Sequence, residues 1–198
     1  MSLVDRAKNI LFNPSKEWEA IKSEQTTVKD LLMNYVVLLA AIPAVAGFIG
    51  FYIFGISWGL VSISPTLGFC IKWAVTTYIL NVIAVYVVAF IMDVLATNFG
   101  SCKDYVSCFK IVAYSSTAAW VGGIFNLIPS LSILGAIAGI YSLVLLYQGM
   151  KIVKQVSQDK LVGYFVTVLI VTIIVYAITG WIVTRFTFGS IDSYVNPF

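Results

Sequence analysis

The sequence predicts an all-α integral membrane protein: a five-transmembrane-helix bundle led by a short amphipathic N-terminal segment. Three observations predict it. Hydrophobic residues make up 60% of the 198 and charged residues 11%, against roughly 45–50% and about 25% in a soluble domain. A soluble fold of this size needs more polar surface than this, so the excess apolar surface faces lipid. The apolar residues also fall in long blocks rather than in alternation, which favours helices over a β-barrel. Finally, the cations are segregated along the chain in the way that membrane topology demands.

Residues 1–30 read as a cytoplasmic, interfacial segment. Leu3, Val4, Ala7, Ile10 and Leu11 recur at helical spacing among Asp5, Arg6, Lys8 and Asn9, which makes an amphipathic helix. Asn13-Pro14 then caps a second short helix, with Pro14, Trp18 and Ile21 on one face. Pro14 and Trp18 are the expected interfacial anchor, with Trp18 in the headgroup belt. These residues contain no apolar core of signal-peptide length, so the first apolar block is expected to act as an uncleaved anchor.

Residues 31–185 are expected to form the transmembrane domain. Thr27-Val28-Lys29-Asp30 is a capping box that starts the first span, which runs over about 31–56. Pro43 and Gly47 inside it predict a kink or close packing. Ser57 to Pro65 reads as a short uncharged turn. The second block, about 66–97, would be about 48 Å long as a helix, more than the ~30 Å hydrocarbon core. It must tilt or project. The third, fourth and fifth spans cover about 108–127, 131–150 and 161–184, and 186–198 form a short external tail. Two alternatives stay open: spans three and four as a hairpin that does not fully cross, and a break of the second block near Asn81.

Orientation follows from counting Lys and Arg. Arg6, Lys8, Lys16, Lys22, Lys29, Lys103, Lys110, Lys151, Lys154 and Lys160 fall on one side of a five-span chain, and only Lys72 and Arg185 on the other. This split of ten to two predicts a multi-pass cell-membrane protein with its N-terminus cytoplasmic and its C-terminus external. A four- or six-span arrangement would mix the loops.

Several functions are excluded at this level. A formal net charge of +3 is too small for a nucleic-acid binder, and histidine is absent, which removes the commonest general base and zinc ligand. The chain has no G-x-S-x-G, P-loop or H-E-x-x-H pattern. No catalytic, cofactor or metal residues are expected, so the protein reads as a non-enzyme. Cys70, Cys102 and Cys108 read as unpaired thiols.

Polar groups inside a bilayer are costly and default to functional hypotheses. The candidates for a polar pathway or for ties between helices are Thr77, Asn81, Asp93, Lys110, Tyr114, Asn126, Thr172 and Tyr176. Asp93 and Lys110 are expected to pair, and Lys72 to snorkel to the outer headgroups. Gly135-x-x-x-Gly139 is expected to permit close approach of another helix.

Two stretches resemble a known family. One is Phe12-Asn13-Pro14 through Trp18 and Ile21, an F-x-P-x-x-x-W-x-x-I pattern. The other is Ala113-Tyr114-Ser115-Ser116, then Trp120, Ile128-Pro129, Gly135, Ile140-Tyr141-Ser142-Leu143 and Gly149-Met150. With five spans and a cytoplasmic N-terminus, the chain looks like a small prokaryotic-type member of the YIP (Ypt/Rab-interacting protein) membrane family. It departs where the family often has a proline after the third-span tyrosine; here stand Thr117-Ala118. The acidic N-terminal motif of eukaryotic members is also absent, so Rab binding is not carried over. The resemblance implies a non-enzymatic protein whose partners are the lipid bilayer and a second copy or another membrane protein. The expected role is membrane organisation or scaffolding through helix contacts. The alternative is a small transporter or channel for ions or lipids on the polar faces of spans two, three and five.

Overall fold

The computed structural model describes residues 2–58 and 61–189. Two short helices lead, α1 (Leu3–Phe12) and α2 (Pro14–Ser23). Five long helices follow: α3 (Val28–Phe54), α4 (Leu67–Ala96), α5 (Tyr105–Leu127), α6 (Ser132–Val153) and α7 (Gln158–Phe188). All five are long and apolar enough to cross a membrane. The protein is an all-α, five-span membrane bundle, as the sequence predicts.

Local chemistry sets the helix starts. The hydroxyl oxygens of Ser2, Thr27 and Thr66 accept from the backbone N–H three residues on, at 3.1, 3.1 and 3.3 Å. The Asp104 carboxylate does the same for Ser107 at 3.1 Å. Each cap satisfies an N–H that the helix itself leaves free. At the end of α4, Gly100 takes φ 71°, a left-handed position that suits glycine. Ser101 N–H then bonds back to the Ala96 carbonyl at 3.0 Å.

The second block does not break at Asn81. Its amide donates to the Thr77 carbonyl at 2.9 Å, so the side chain folds back on a continuous helix of 30 residues. The expected turn between the first two spans contains a small antiparallel hairpin, Ile56–Trp58 (β1) against Val61–Ile63 (β2). At the other end of the chain, α7 stays helical to Phe188. Residues 190–198 of the expected external tail lie outside the described residues.

α5 is the centre of the bundle. It is the least apolar of the five long helices and the most buried, because its neighbours face it instead of lipid. Its helix is interrupted at Ser116. Ser115 and Ser116 donate to the Val112 carbonyl at 3.1 and 2.8 Å, and Thr117 donates to the Tyr114 carbonyl at 2.6 Å. Such back-bonds compete with the helix ladder and bend it. The Ala119 N–H leaves the ladder and donates to Ser142 Oγ of α6 at 2.9 Å. Hydroxyls thus make the interruption at the place where the resembled family often carries a proline.

Close packing is concentrated where α3, α5 and α6 meet. A Cβ added at Gly122 would lie 2.3 Å from Ala138 Cβ, and one at Gly50 would lie 2.2 Å from the Asn126 carbonyl oxygen. Both are far inside contact distance. The two glycines of Gly135-x-x-x-Gly139 stand in different surroundings. A Cβ added at Gly135 would lie 3.4 Å from the Gly122 carbonyl oxygen, but one on Gly139 would meet nothing within 4 Å. Gly139 faces a cavity instead of a helix.

Candidate functional site: a capped end and an intramembrane chamber

The N-terminal helices are built into one end of the bundle. The spacing 3, 6, 7, 10 puts Arg6 on the apolar stripe of α1, and 14, 17, 18, 21 puts Glu17 on that of α2. Both are buried. Arg6 Nη1 donates to Glu17 Oε1 at 2.6 Å, and Nη2 donates to Glu24 Oε2. The guanidinium carbon lies 5.4 Å from the centroid of the Tyr114 ring. Tyr114 is the hub of this end. Its ring meets Tyr35 at 4.7 Å and Trp18 at 6.3 Å, both edge-on. Tyr35 in turn shares a 2.7 Å hydrogen bond with Thr117.

Carbonyls at the C-terminal ends of the two short helices accept from bundle side chains. Tyr141 of α6 donates to the Leu11 carbonyl at 2.8 Å. Lys110 of α5 donates to the Ile21 carbonyl at 3.3 Å and to the Glu24 carbonyl. A cation at a helix C-terminus also answers the helix dipole.

This overturns two expectations. Lys110 does not pair with Asp93. Asp93 instead faces Lys154, the residue after α6, at 4.0 Å and accepts from the Asp104 N–H at 2.7 Å. Lys154 also donates to the Cys102 and Asp104 carbonyls, at 2.9 and 3.3 Å. Nor does Trp18 sit in a headgroup belt. It is fully buried against Tyr114, Ile111 and the bare backbone of Gly149. Pro14 is half-buried, and the large hydrophobic residues of this segment that face outward are Val4 and Phe12.

Burial pushes the Asp104 carboxyl up, but it ends below its ordinary value. The Ser107 hydroxyl and N–H hydrogen-bond to it, and Lys154 and Lys110 stand near. At the opposite end of the bundle, Lys72 lies 4.5 Å from the centroid of the Phe186 ring. Cys70 and Cys108 are buried free thiols, and Cys102 is exposed.

The polar candidates divide by place. Asn81, Thr172 and Tyr176 come together on a chamber of about 510 Å³ that all five long helices line. Thr77 is not on it. It lines a second cavity of about 330 Å³, which shares Asn81 and Tyr176 with the first. Asp93, Lys110 and Tyr114 belong to the capped end. Asn126 lies in the last turn of α5, its carbonyl oxygen against Gly50. Arg6, Glu17, Glu24, Lys154 and Ser142 were not among the sequence candidates. For Arg6 and Glu17 the signal was their place on apolar stripes.

A family model for the Yip1 domain matches residues 8–180. The chain belongs to the Yip1 domain family. It is 24% identical over 169 residues to the inner membrane protein YohC of Escherichia coli strain K12, covering 82% of this chain and 86% of that protein. YohC of Escherichia coli O6:H1 matches with the same figures. No solved structure matches the chain. The Yip1 match begins within α1 and spans most of the bundle, so Trp18, Lys110 and the chamber lie within it while Arg6 stands just before it.

Proposed function

We propose that this Yip1-family membrane protein is a non-enzymatic organiser of the inner membrane, oriented with its capped end in the cytoplasm. One observation carries the reading. The N-terminal helices are fixed in place by buried Arg6, Glu17 and Trp18, so the outward face of the cap is held in a defined position. That face presents Val4 at 69% and Phe12 at 75% exposure, one helical stripe with Lys8 between them. We read these two large apolar residues on the outward face of α1 as a contact surface, suited to another membrane protein or a second copy. The ten cations grouped towards this end support the orientation.

A photo-crosslinking residue at position 12 tests the reading in intact cells. The expected result is a discrete protein adduct, identified by mass spectrometry, that Val4→Glu abolishes. Liposomes holding the purified protein should show solute flux at background. Adducts to lipid alone would overturn the reading. So would protein-dependent flux that falls in Asn81→Ala. The transport reading has one observation in its favour, the meeting of Asn81, Thr172 and Tyr176 on the chamber wall.

A further inference from the structure

Protein interiors leave few voids larger than a water molecule. The chamber, at about 510 Å³, falls within the roughly 300–1,000 Å³ of ligand pockets. Its walls are mostly apolar, and the polar groups on them are uncharged: Asn81, Ser115, Ser116, Ser142, Thr172 and Tyr176. Most of these are already engaged. Ser115, Ser116 and Thr172 donate to carbonyls of their own helices, and Ser142 accepts from Ala119 N–H. Asn81 spends one amide hydrogen on Thr77, which leaves its carbonyl oxygen and second hydrogen to offer. Tyr176 is the other residue that lines both cavities. These two residues form a polar waist between the chamber and the second cavity. On the far side of the waist, the Thr77 hydroxyl is buried without a hydrogen-bond partner.

Ile140 of α6 and Ile173 of α7 both line the chamber and are exposed on the outside of the bundle, which opens the chamber to the side. α6 and α7 meet near their connection, where Tyr147 and Phe165 lie 5.2 Å apart edge to face. Farther along, α6 exposes Ile133, Ile137 and Ile140, and α7 exposes Ile173, Ile174 and Ile178. These faces look into lipid. Asn81 is 14 residues from the start of α4 and 15 from its end, about 21 Å from either end. The waist therefore lies near the midplane of the bilayer. A charged headgroup would have to give up its hydration to reach this depth. A lipid with an uncharged oxygen gives up far less, and a hydrogen bond at the waist offsets that loss.

We propose that the chamber binds an uncharged long-chain lipid bearing a hydroxyl or carbonyl oxygen at one end. The hydrocarbon tail fills the chamber between α5, α6 and α7. The oxygen hydrogen-bonds at the Asn81–Tyr176 waist. Gly139 provides the means of testing this, because it lines the chamber and a Cβ there would have nothing within 4 Å. The proposal rests on the chamber alone and is independent of the cap.

The probe is a long-chain alcohol with a diazirine in its tail, added to the protein in vesicles of phosphatidylethanolamine and phosphatidylglycerol. Its label should concentrate on peptides containing Ala136–Leu146 and Thr172–Tyr176. Excess unlabelled alcohol should remove that label, and the same excess of phosphatidylglycerol should not. Gly139→Leu should lower it by about five-fold or more, leaving label on the lipid-facing residues of α7 unchanged. Asn81→Leu should lower it by about five-fold, the worth of one hydrogen bond of about 1 kcal/mol. A diazirine alkane of equal length should not feel Asn81→Leu. Label spread evenly over the apolar surface would overturn the proposal, as would competition by phosphatidylglycerol as strong as by the alcohol. Chamber peptides crosslinked between two copies would assign the space to a second protein chain instead.

Discussion

Arg6 is a cation placed where an apolar residue would be expected, on the buried stripe of α1. The location is viable because Glu17 and Glu24 neutralise it and the Tyr114 ring covers it. Removing one partner of a buried ion pair leaves the other charge without compensation, at a cost of about 3–5 kcal/mol. Arg6→Ala should therefore loosen α1 and α2, seen as a lower unfolding temperature in detergent and as cleavage after the cap lysines. The double variant Arg6→Met/Glu17→Leu should recover much of the loss, since it leaves a smaller unpaired charge. Equal loss in both would mean that the charges themselves hold the cap. Asp104 supplies a pH dependence. Its carboxyl is held below the ordinary value of 3.8, so its ionised form is worth more in the folded protein than in the unfolded one. That contribution is complete above the ordinary value and is lost as pH falls through the depressed one. Unfolding temperature should drop on acidification below about pH 4, and Asp104→Asn should flatten that part of the drop. Residue roles were the least legible part of the sequence. An amphipathic pattern shows which face is apolar but not what covers it. Trp18 therefore read as a headgroup anchor although Gly149 and Ile111 wait beneath it. The partner of Asp93 was misread because its true partner, Lys154, is held by the loop carbonyls of Cys102 and Asp104.

At the scale of elements, the long helices were legible because lipid enforces apolar blocks of fixed length. What the blocks hide is how helices touch. Gly122 and Gly139 look alike in sequence, each in an apolar run. The structure gives Gly122 a neighbour at 2.3 Å and Gly139 open space. Gly122→Leu should force α5 and α6 apart and cost at least about 1–3 kcal/mol from overpacking, whereas Gly139→Leu should leave the melting temperature near wild type. A thermal unfolding series on the two variants checks this, and equal damage from both would contradict the packing described. The small hairpin between α3 and α4 carried no sequence signal, since Ser57 to Pro65 is too short for a periodicity to show. The interruption of α5 was hidden for another reason. Serine and threonine back-bonds act through side-chain geometry, and they leave no mark as plain as a proline.

For the whole molecule, charge and shape agree. Arg6, Lys110 and Lys154 meet at the capped end, where Lys160 also approaches Gly100, while Lys72 stands over Phe186 at the other. Four of the ten cations counted on one side thus gather at one end, and Lys72 lies at the other. The capped end concentrates ion pairs and helix caps, and the opposite end tightens through glycine contacts. The central claim is a five-span bundle whose docked N-terminal cap faces the cytoplasm. Cysteine accessibility tests it most directly. Cys102 is exposed at the capped end, Cys70 and Cys108 are buried, and Ser64→Cys adds an exposed thiol at the other end. With a membrane-impermeant maleimide, right-side-out vesicles should label Ser64→Cys and spare Cys102, and inverted vesicles should do the reverse. Labelling of both positions from the same side, or of Ser64→Cys only in inverted vesicles, would contradict the account.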